Sequence, residues 1–486
     1  MAERRILMVG LALACAVVCA AGPAAASPRS DPTIGPAVFT GATTPSATSI
    51  GLNPAALGLG AFDAVYVALT GTIDQLHVDL APFNAGGLSA PGAKVRDVEP
   101  SPGGMIAFIY HLAGDRGTLG FEARTNPRES FAEGEPALKY HTLGGGERDW
   151  LASAGASIKV TSELFFGASL SHQNTFLRLR YARDTALAAT DPTRGIGGNC
   201  GPGAPCTLED PRATETYDFD VSSSILSTAN LKVNVGIVVQ LARDMWLGVA
   251  YHTPPGLGIQ TELAGHVDVT RAPRDLTSPD DPPVLHGQSV AEIQFPASVD
   301  AEFRTRLPAD LDLHIAGRWE DLSRFTAYDV RTFGTTLPSN DIPEWTERPR
   351  GMQDGFAFWG GVEQVDTGQR WLFGARLGFE TASVTDDRLS PLTIAPASFT
   401  IDLGAQWRIS RVLVAQLSYG LQYFPPVDVK HSEFDPTSQL TCAASGYDYA
   451  TAACEAVREG YAIPPADGTY ERLQHAIRIG LRYDLQ

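Results

Sequence analysis

Residues 231–254 read LKVNVGIVVQLARDMWLGVAYHTP. Leu231, Val233, Val235, Ile237, Val239 and Leu241 alternate with Lys232, Asn234, Gly236, Val238 and Gln240. After a short turn at Ala242, Arg243 and Asp244, the apolar phase resumes at Met245, Leu247, Val249 and Tyr251. A two-residue period predicts strands, and the pair predicts a hairpin with one oily face and one polar face. The rhythm recurs along the chain. Ile293, Phe295, Ala297, Val299, Ala301 and Phe303 alternate with polar positions, as do Leu311, Leu313, Ile315, Gly317 and Trp319. Phe399, Ile401, Leu403, Ala405, Trp407 and Ile409 repeat it, and so do Leu473, His475, Ile477, Ile479, Leu481, Tyr483 and Leu485. Weaker runs lie at 61–80, 103–113, 117–126, 149–160, 163–183, 352–365, 369–381 and 411–424. Together these predict about fourteen strands.

The connectors sort into two kinds. Short ones fall at 114–116, 161–162, 242–244, 308–309, 366–368 and 409–411. Long ones fall at 81–102, 127–148, 184–214, 271–288, 331–351, 382–397 and 425–471. Short turns at one end, long loops at the other and an even strand number are the signature of a transmembrane β-barrel. A soluble sandwich has no reason to sort its loops this way.

The polar phase decides which face sees lipid. It carries Asp300, Glu302, Arg304, Asp312, Arg318, Glu320, Arg376, Glu380, Asp402 and Arg478. Pressed between two sheets, such charges would be costly. Facing a hydrated lumen, they would cost little. The oily phase therefore faces lipid. Eleven residues at about 3.3 Å each, tilted about 45°, rise roughly 26 Å, close to the apolar height of such a barrel. In 163–183 the apolar set changes phase from Leu164, Phe166, Ala168 and Leu170 to Leu177, Leu179 and Tyr181. A bulge near 172–176 or an extension above the membrane would produce that slip.

Composition adds the compartment. Arg4 and Arg5, the apolar run 6–20 and Ala24, Ala25 and Ala26 before Ser27 form a secretory signal peptide over 1–26. No later apolar run reaches about 18 residues, which excludes a helical membrane protein. The net charge of -18 speaks against nucleic acid as a partner. Beyond the signal stand Cys200, Cys206, Cys442 and Cys454, two close pairs in predicted long loops of an exported chain. They are expected to form disulfides outside the cell. Three pairings are open, of which the two short loops carry the least closure entropy. His111, His252, His266 and His314 lie on separate strands without ligand spacing, so no metal site is expected. No GxSxG, P-loop or dinucleotide fingerprint occurs, so neither an enzyme nor a cofactor is expected.

A barrel of this size would leak unless something blocked it. Residues 27–60, rich in small side chains and poor in alternation, are the predicted plug, with the barrel over 61–486. At Asn53, Pro54 and Ala55, followed by Ala56 and Leu57, this segment resembles the hatch motif of the FadL/TodX-type outer-membrane transporters of hydrophobic compounds. LGVAYHTP at 247–254, FPASVDAEFRTRLPADLDLHIAGRWEDLSRF at 295–325 and HAIRIGLRYDL near the end extend the resemblance over most of the exported chain. Gln486 stands where the pattern has a terminal aromatic.

The resemblance implies an all-β, multi-pass, fourteen-stranded antiparallel barrel of the bacterial outer membrane, in contact with its lipid and working as a monomer. It implies passive uptake of long-chain fatty acids or aromatic hydrocarbons, with no catalysis. Arg304, Arg318 and Arg376, on the lumen phase, are then candidate partners for a ligand carboxylate. Asn126 and Pro127 are then a candidate wall break for sideways exit. A porin-like channel for polar solutes is the alternative.

Overall fold

The alternating segments pair edge to edge and the sheet returns on itself. In this computed structural model the described residues are 36–485, apart from 61–62, 86–87, 91, 113–115, 127–128, 132–137, 185–213, 225–226, 259, 272–283, 335–336, 338–341, 447 and 449. The predicted signal peptide, residues 27–35 of the predicted plug, Pro127, Cys200 and Cys206 lie outside them.

The strands of five residues or more, in chain order, are β1 (Asp63–Leu80), β2 (Ala93–His111), β3 (Gly117–Thr125), β4 (Gly145–Lys159), β5 (Leu164–Asp184), β6 (Thr214–Ser223), β7 (Leu231–Ala242), β8 (Met245–His252), β9 (Thr261–Arg271) and β10 (Val284–Ile293). They continue with β11 (Ser298–Leu307), β12 (Leu311–Glu320), β13 (Ala327–Phe333), β14 (Trp345–Pro349), β15 (Gly355–Gln364), β16 (Trp371–Glu380), β17 (Ser398–Arg408), β18 (Leu413–Val429) and β19 (Gly468–Leu485). Fourteen of them, β1–β5, β7, β8, β11, β12 and β15–β19, form an antiparallel ring in that order, closed by β19 against β1. Closure removes the two free edges that an open sheet would have, the condition for a sheet to stand in lipid.

The wall is apolar outside and ionic inside. All ten charged positions of the predicted lumen phase are buried, Arg478 completely, whereas Leu377 on the outer face is 62% exposed. Near the short-turn end Trp371 stacks on Trp407 with ring centroids 5.5 Å apart and on Phe373 at 6.3 Å. Trp150, Tyr251 and Phe399 stand exposed toward the opposite rim. These are the two aromatic girdles of a bilayer-spanning barrel.

Five strands were not foreseen. β6, β9, β10, β13 and β14 extend a second sheet from the upper half of β5, above the wall. Parts of the expected loops 271–288 and 331–351 are strand. The inner face of this sheet packs Tyr181, Tyr217, Phe219, Val267, Leu285 and Tyr328 into a buried apolar core. Alternation marks a covered face but does not say whether lipid or protein covers it. For the same reason the run from Ile293 to Phe303 is two elements. β10 ends at Ile293, Pro296 lies in the break, and Phe295 joins the outer core.

Of the two explanations for the slip in 163–183, the extension holds. β5 pairs β4 in one unbroken register from Phe165 to Leu179. Its inward side chains Ser169, Ser171, Gln173 and Thr175 line the lumen, and Leu177, Leu179 and Tyr181 continue the same face into the outer core.

The connection between β18 and β19 carries α1 (Thr437–Ala444) and α2 (Ala452–Arg458), stapled by a Cys442–Cys454 disulfide with Cα atoms 4.7 Å apart. Beneath it His141 is buried, with Nε2 2.8 Å from the Pro464 carbonyl and its ring edge-on to Phe434 at 4.9 Å. Burial first, then the nearby Arg348 guanidinium, hold its pKa down to about 3.

Two expectations follow. Leu403→Arg, on the outer face, should destabilise the barrel by about 2–4 kcal/mol in lipid-bilayer unfolding titrations, because an arginine would face hydrocarbon. His141 is neutral when folded but takes a proton near its ordinary pH range when its loop opens. Its contribution is therefore complete at pH 7 and is lost as pH falls toward 3. Amide exchange over 138–144 should accelerate on acidification, and His141→Gln should flatten that dependence.

Candidate functional site

Residues 36–60 lie inside the ring, and their backbone is held by wall side chains. This segment has little regular structure of its own, a helical turn at Ser49–Leu52 and a 3-10 turn at Pro54–Leu59. Its remaining N–H and C=O groups must find partners elsewhere.

The leading half finds them in carboxylates. The Ala37 N–H donates to Asp402 (3.0 Å), the Phe39 N–H to Glu363 (2.7 Å) and the Thr43 N–H to Glu302 (2.8 Å). Arg478 donates to the Val38 carbonyl at 2.8 Å. Charge-assisted bonds of this kind contribute about 1.5–3 kcal/mol each. The carboxylates are steadied in turn. His314 Nδ1 lies 2.6 Å from Glu302 and its Nε2 3.4 Å from Glu363, while Arg376 Nε donates to Glu363 at 2.8 Å. Reading across β11, β12, β15, β16, β17 and β19, the inward groups are Glu302, His314, Glu363, Arg376, Asp402 and Arg478. One half of the lumen is a belt of acidic side chains interleaved with arginine and histidine. These charges do not face bulk water, as the sequence reading expected. The segment excludes water, and its N–H groups take the place of hydration.

The trailing half lies against the opposite wall, where many inward residues are small or apolar, with the buried Glu122 and Arg124 beside Gly51. Ile50 and Leu57 pack with Tyr66, Ala68, Met105 and Ala107, and Ala55 and Ala56 pack with Phe165 and Val238. Asn53 organises this half. Its Oδ1 accepts the Ala55 N–H, capping the 3-10 turn that Pro54 opens. Its Nδ2 donates to the Ala42 carbonyl at 2.7 Å and to the Ile237 carbonyl of β7 at 3.2 Å. An amide is needed here because a carboxylate could not donate. Gly236 and Gly167 leave the room: a Cβ at either would collide with Asn53 or with the Ala55 backbone. Successive inward glycines on neighbouring strands were the sequence signal for this close approach, and the pattern reading passed over it.

The three candidate arginines are each engaged by protein. Arg318 bonds Asp300, Arg376 bonds Glu363, and Arg304 lies 3.5 Å from Asp312 and over the Trp246 ring at 4.3 Å. Lys232, not singled out from the sequence, is half-buried on the same lumen face with no hydrogen bond or ion pair among the described residues. Arg124, Arg318, Asp149 and Glu320 all lie within electrostatic reach of it. At the candidate wall break, Asn126 sits one residue past β3, and its N–H donates to the Asp149 carbonyl at 3.1 Å. From Thr118 to Thr125, β3 is paired on both edges.

A cavity of about 290 Å³ opens between residues 39–48 and the wall at the short-turn end. Tyr66, Arg304, Gln406, Gln416 and Arg482 line its wall side. Among the described residues no cluster of His, Cys, Asp or Glu is arranged to hold a metal ion.

A fourteen-stranded ring around a folded-in N-terminal segment matches solved structures along nearly its whole length. A Pseudomonas aeruginosa FadL homologue superposes with a TM-score of 0.71 at 15% identity, over 95% of this chain and all of that one (100%). The chain has the fold of the FadL-type barrels. The P. putida toluene transporter TodX gives a TM-score of 0.59 at 13% identity, over 90% of this chain and 94% of its own. The Ralstonia pickettii toluene transporter TbuX gives 0.56 at 16%, with the same coverage, 90% and 94%. No known family profile matches the sequence, and no curated protein is similar to it. The FadL-type fold is thus preserved with little of the sequence. What this chain keeps is the phase of its alternation and an N-terminal segment small enough to fit inside.

Filling the space left by Gly236 should dislodge that segment. Gly236→Leu is expected to raise planar-bilayer conductance above the wild-type baseline while the barrel still folds, as judged by heat-modifiable gel mobility. Unchanged conductance in a folded variant would count against the fit described for Asn53.

Proposed function

We propose that this chain is a passive channel of the bacterial outer membrane that carries hydrophobic small molecules inward, with residues 27–60 as its hatch. The observation that carries the reading is a lipid-facing barrel whose lumen is occupied by its own N-terminal segment. A permanently open pore has no use for such a segment, whereas a gated path for a sparingly soluble ligand does. The short-turn end then faces the periplasm, as in barrels of this kind, and the disulfide-stapled cap faces the oxidising exterior. The toluene transporters that share the fold support an apolar cargo. One copy forms a complete ring, so a monomer suffices.

Apolar cargo needs little from the protein beyond a dry route, since each buried CH₂ is worth about 0.8 kcal/mol. A fatty acid also needs a cation for its carboxylate. Arg304, Arg318 and Arg376 already have carboxylate partners, so Lys232 is the better head-group partner. The porin-like reading has only the ionic lumen in its favour, and those ions are engaged with one another and with the backbone of 36–60.

Cells expressing the protein should accumulate radiolabelled palmitate and toluene faster than cells without it, while bilayer conductance of the full-length protein stays low. Large steady conductance with no gain in uptake would favour the polar-solute channel. Lys232→Gln should slow palmitate uptake more than toluene uptake, and an equal effect on both would remove Lys232 from the ligand path.

A further inference from the structure

We propose that His252 is a positioning residue for the N-terminal segment, and that a proton on its ring sets the direction of a chain of hydrogen bonds ending on the Ile50 carbonyl. The inference rests on the burial of residues 36–60 inside the ring and not on what the barrel carries. It begins at Pro54. A helical turn over Ser49–Leu52 would ordinarily give the Ile50 carbonyl the N–H of residue 54, and proline has none. The wall supplies a donor instead, the Ser169 hydroxyl of β5 at 2.9 Å. Ser169 accepts in turn from Asn234 Nδ2 of β7 at 2.9 Å, and Asn234 Oδ1 lies 3.0 Å from His252 Nδ1 of β8. His252 Nε2 lies 2.7 Å from an Asp300 oxygen of β11, and Arg318 of β12 donates to the same oxygen. Ser169 stands directly opposite Asn234, Asn234 opposite His252, and Asp300 opposite Arg318. The chain thus crosses five neighbouring wall strands.

A hydroxyl has one hydrogen to donate, and an amide donates only from its nitrogen. With the Ser169 hydrogen pointing at Ile50, Ser169 accepts from Asn234 Nδ2. Asn234 then presents its carbonyl oxygen to His252, so Nδ1 must carry a hydrogen. An ionised carboxylate, which Arg318 also bonds, cannot donate, so Nε2 carries one as well. The ring is therefore an imidazolium while the chain runs toward Ile50. Loss of one proton to water leaves Nε2–H on Asp300 and Nδ1 bare. The Asn234 amide then turns over to donate to Nδ1, and Ser169 donates to the amide oxygen. The Ile50 carbonyl loses its wall donor in a buried place, which is costly. Asp300 favours the charged ring, while Lys232 and Arg318, the other charges within reach of it, oppose it.

Acid should tighten the turn at 49–57 and alkali loosen it. Hydrogen exchange of the full-length folded protein, followed by mass spectrometry over 49–57 and corrected for intrinsic exchange, reads this. From about pH 4 to about pH 9, protection there should fall about tenfold in a one-proton step. Nitrogen NMR of histidine-labelled protein should show His252, assigned by its loss in His252→Gln, protonated on both ring nitrogens below the step and bare at Nδ1 above it. Asn234→Leu cuts the chain and should abolish the step over 49–57 while the His252 ring still titrates. Ser169→Ala should exchange fast at every pH. Heat-modifiable gel mobility checks that each of these variants is a closed barrel, and the wild-type profiles need no variant. Flat protection over 49–57 in the wild type, or a His252 ring that keeps Nδ1 protonated through the step, overturns the proposal. So does a step that persists in a folded Asn234→Leu variant.

Discussion

Hydrocarbon offers no hydrogen bonds, and that constraint governs the whole architecture. Each N–H and C=O of a strand in lipid must be paired within the protein, so the sheet has to close, and closure occurs at β19 against β1. Once the ring is shut, the two-residue alternation of each strand sends one set of side chains to lipid and the other inward. Ile477, Ile479 and Leu481 project outward from β19 while Arg478 is fully buried between them. The polarity of a soluble protein is reversed without any change in the rules of burial, because the solvent outside is oil.

Closure creates a second problem, the interior. The ten charged groups of the predicted lumen phase, with Glu122, Arg124 and Glu363 beside them, are taken out of water and carry a desolvation cost that mutual attraction alone need not offset. A peptide with little secondary structure, buried in the same space, carries unsatisfied backbone groups. Each deficit answers the other here. Carboxylates on β11, β15 and β17 accept N–H groups that no helix or strand would otherwise satisfy, and Arg478 donates to a carbonyl of the same segment. The opposite wall contributes glycine, serine and alanine, which let the peptide approach the strands and pack against them. Carboxylates grip one half, while apolar packing together with hydrogen bonds from Asn53, Ser157 and Ser169 grips the other.

Above the membrane, water returns and so do ordinary cores. β5 carries the transition on one face, from Ser169, Ser171, Gln173 and Thr175 in the lumen to Leu177, Leu179 and Tyr181 beneath the outer sheet. The outer sheet, the stapled helical hairpin and the buried His141 belong to this part.

The fourteen wall strands, their facing and the short-turn end were legible in the sequence, because period-two alternation is a local property that register cannot change without exposing the wrong face. The same logic placed the ten charges on the lumen side, but it did not show that residues 36–60 would bury them in place of water. Asn53 and Pro54 could be picked out as a motif, but their work could not. One partner of Asn53, Ala42, lies in the same segment, but the other, Ile237, is 184 residues away along the chain and is brought close only by closure. The outer sheet was hidden because alternation in β6 or β9 looks alike whether lipid or a folded-over loop covers it. Whether Arg304, Arg318 and Arg376 are free for a ligand was likewise a tertiary matter. Their phase gave the lumen, but only the placement of Asp312, Asp300 and Glu363 beside them decided that each was already paired, since ion pairs form through space and alternation fixes only the side of the wall.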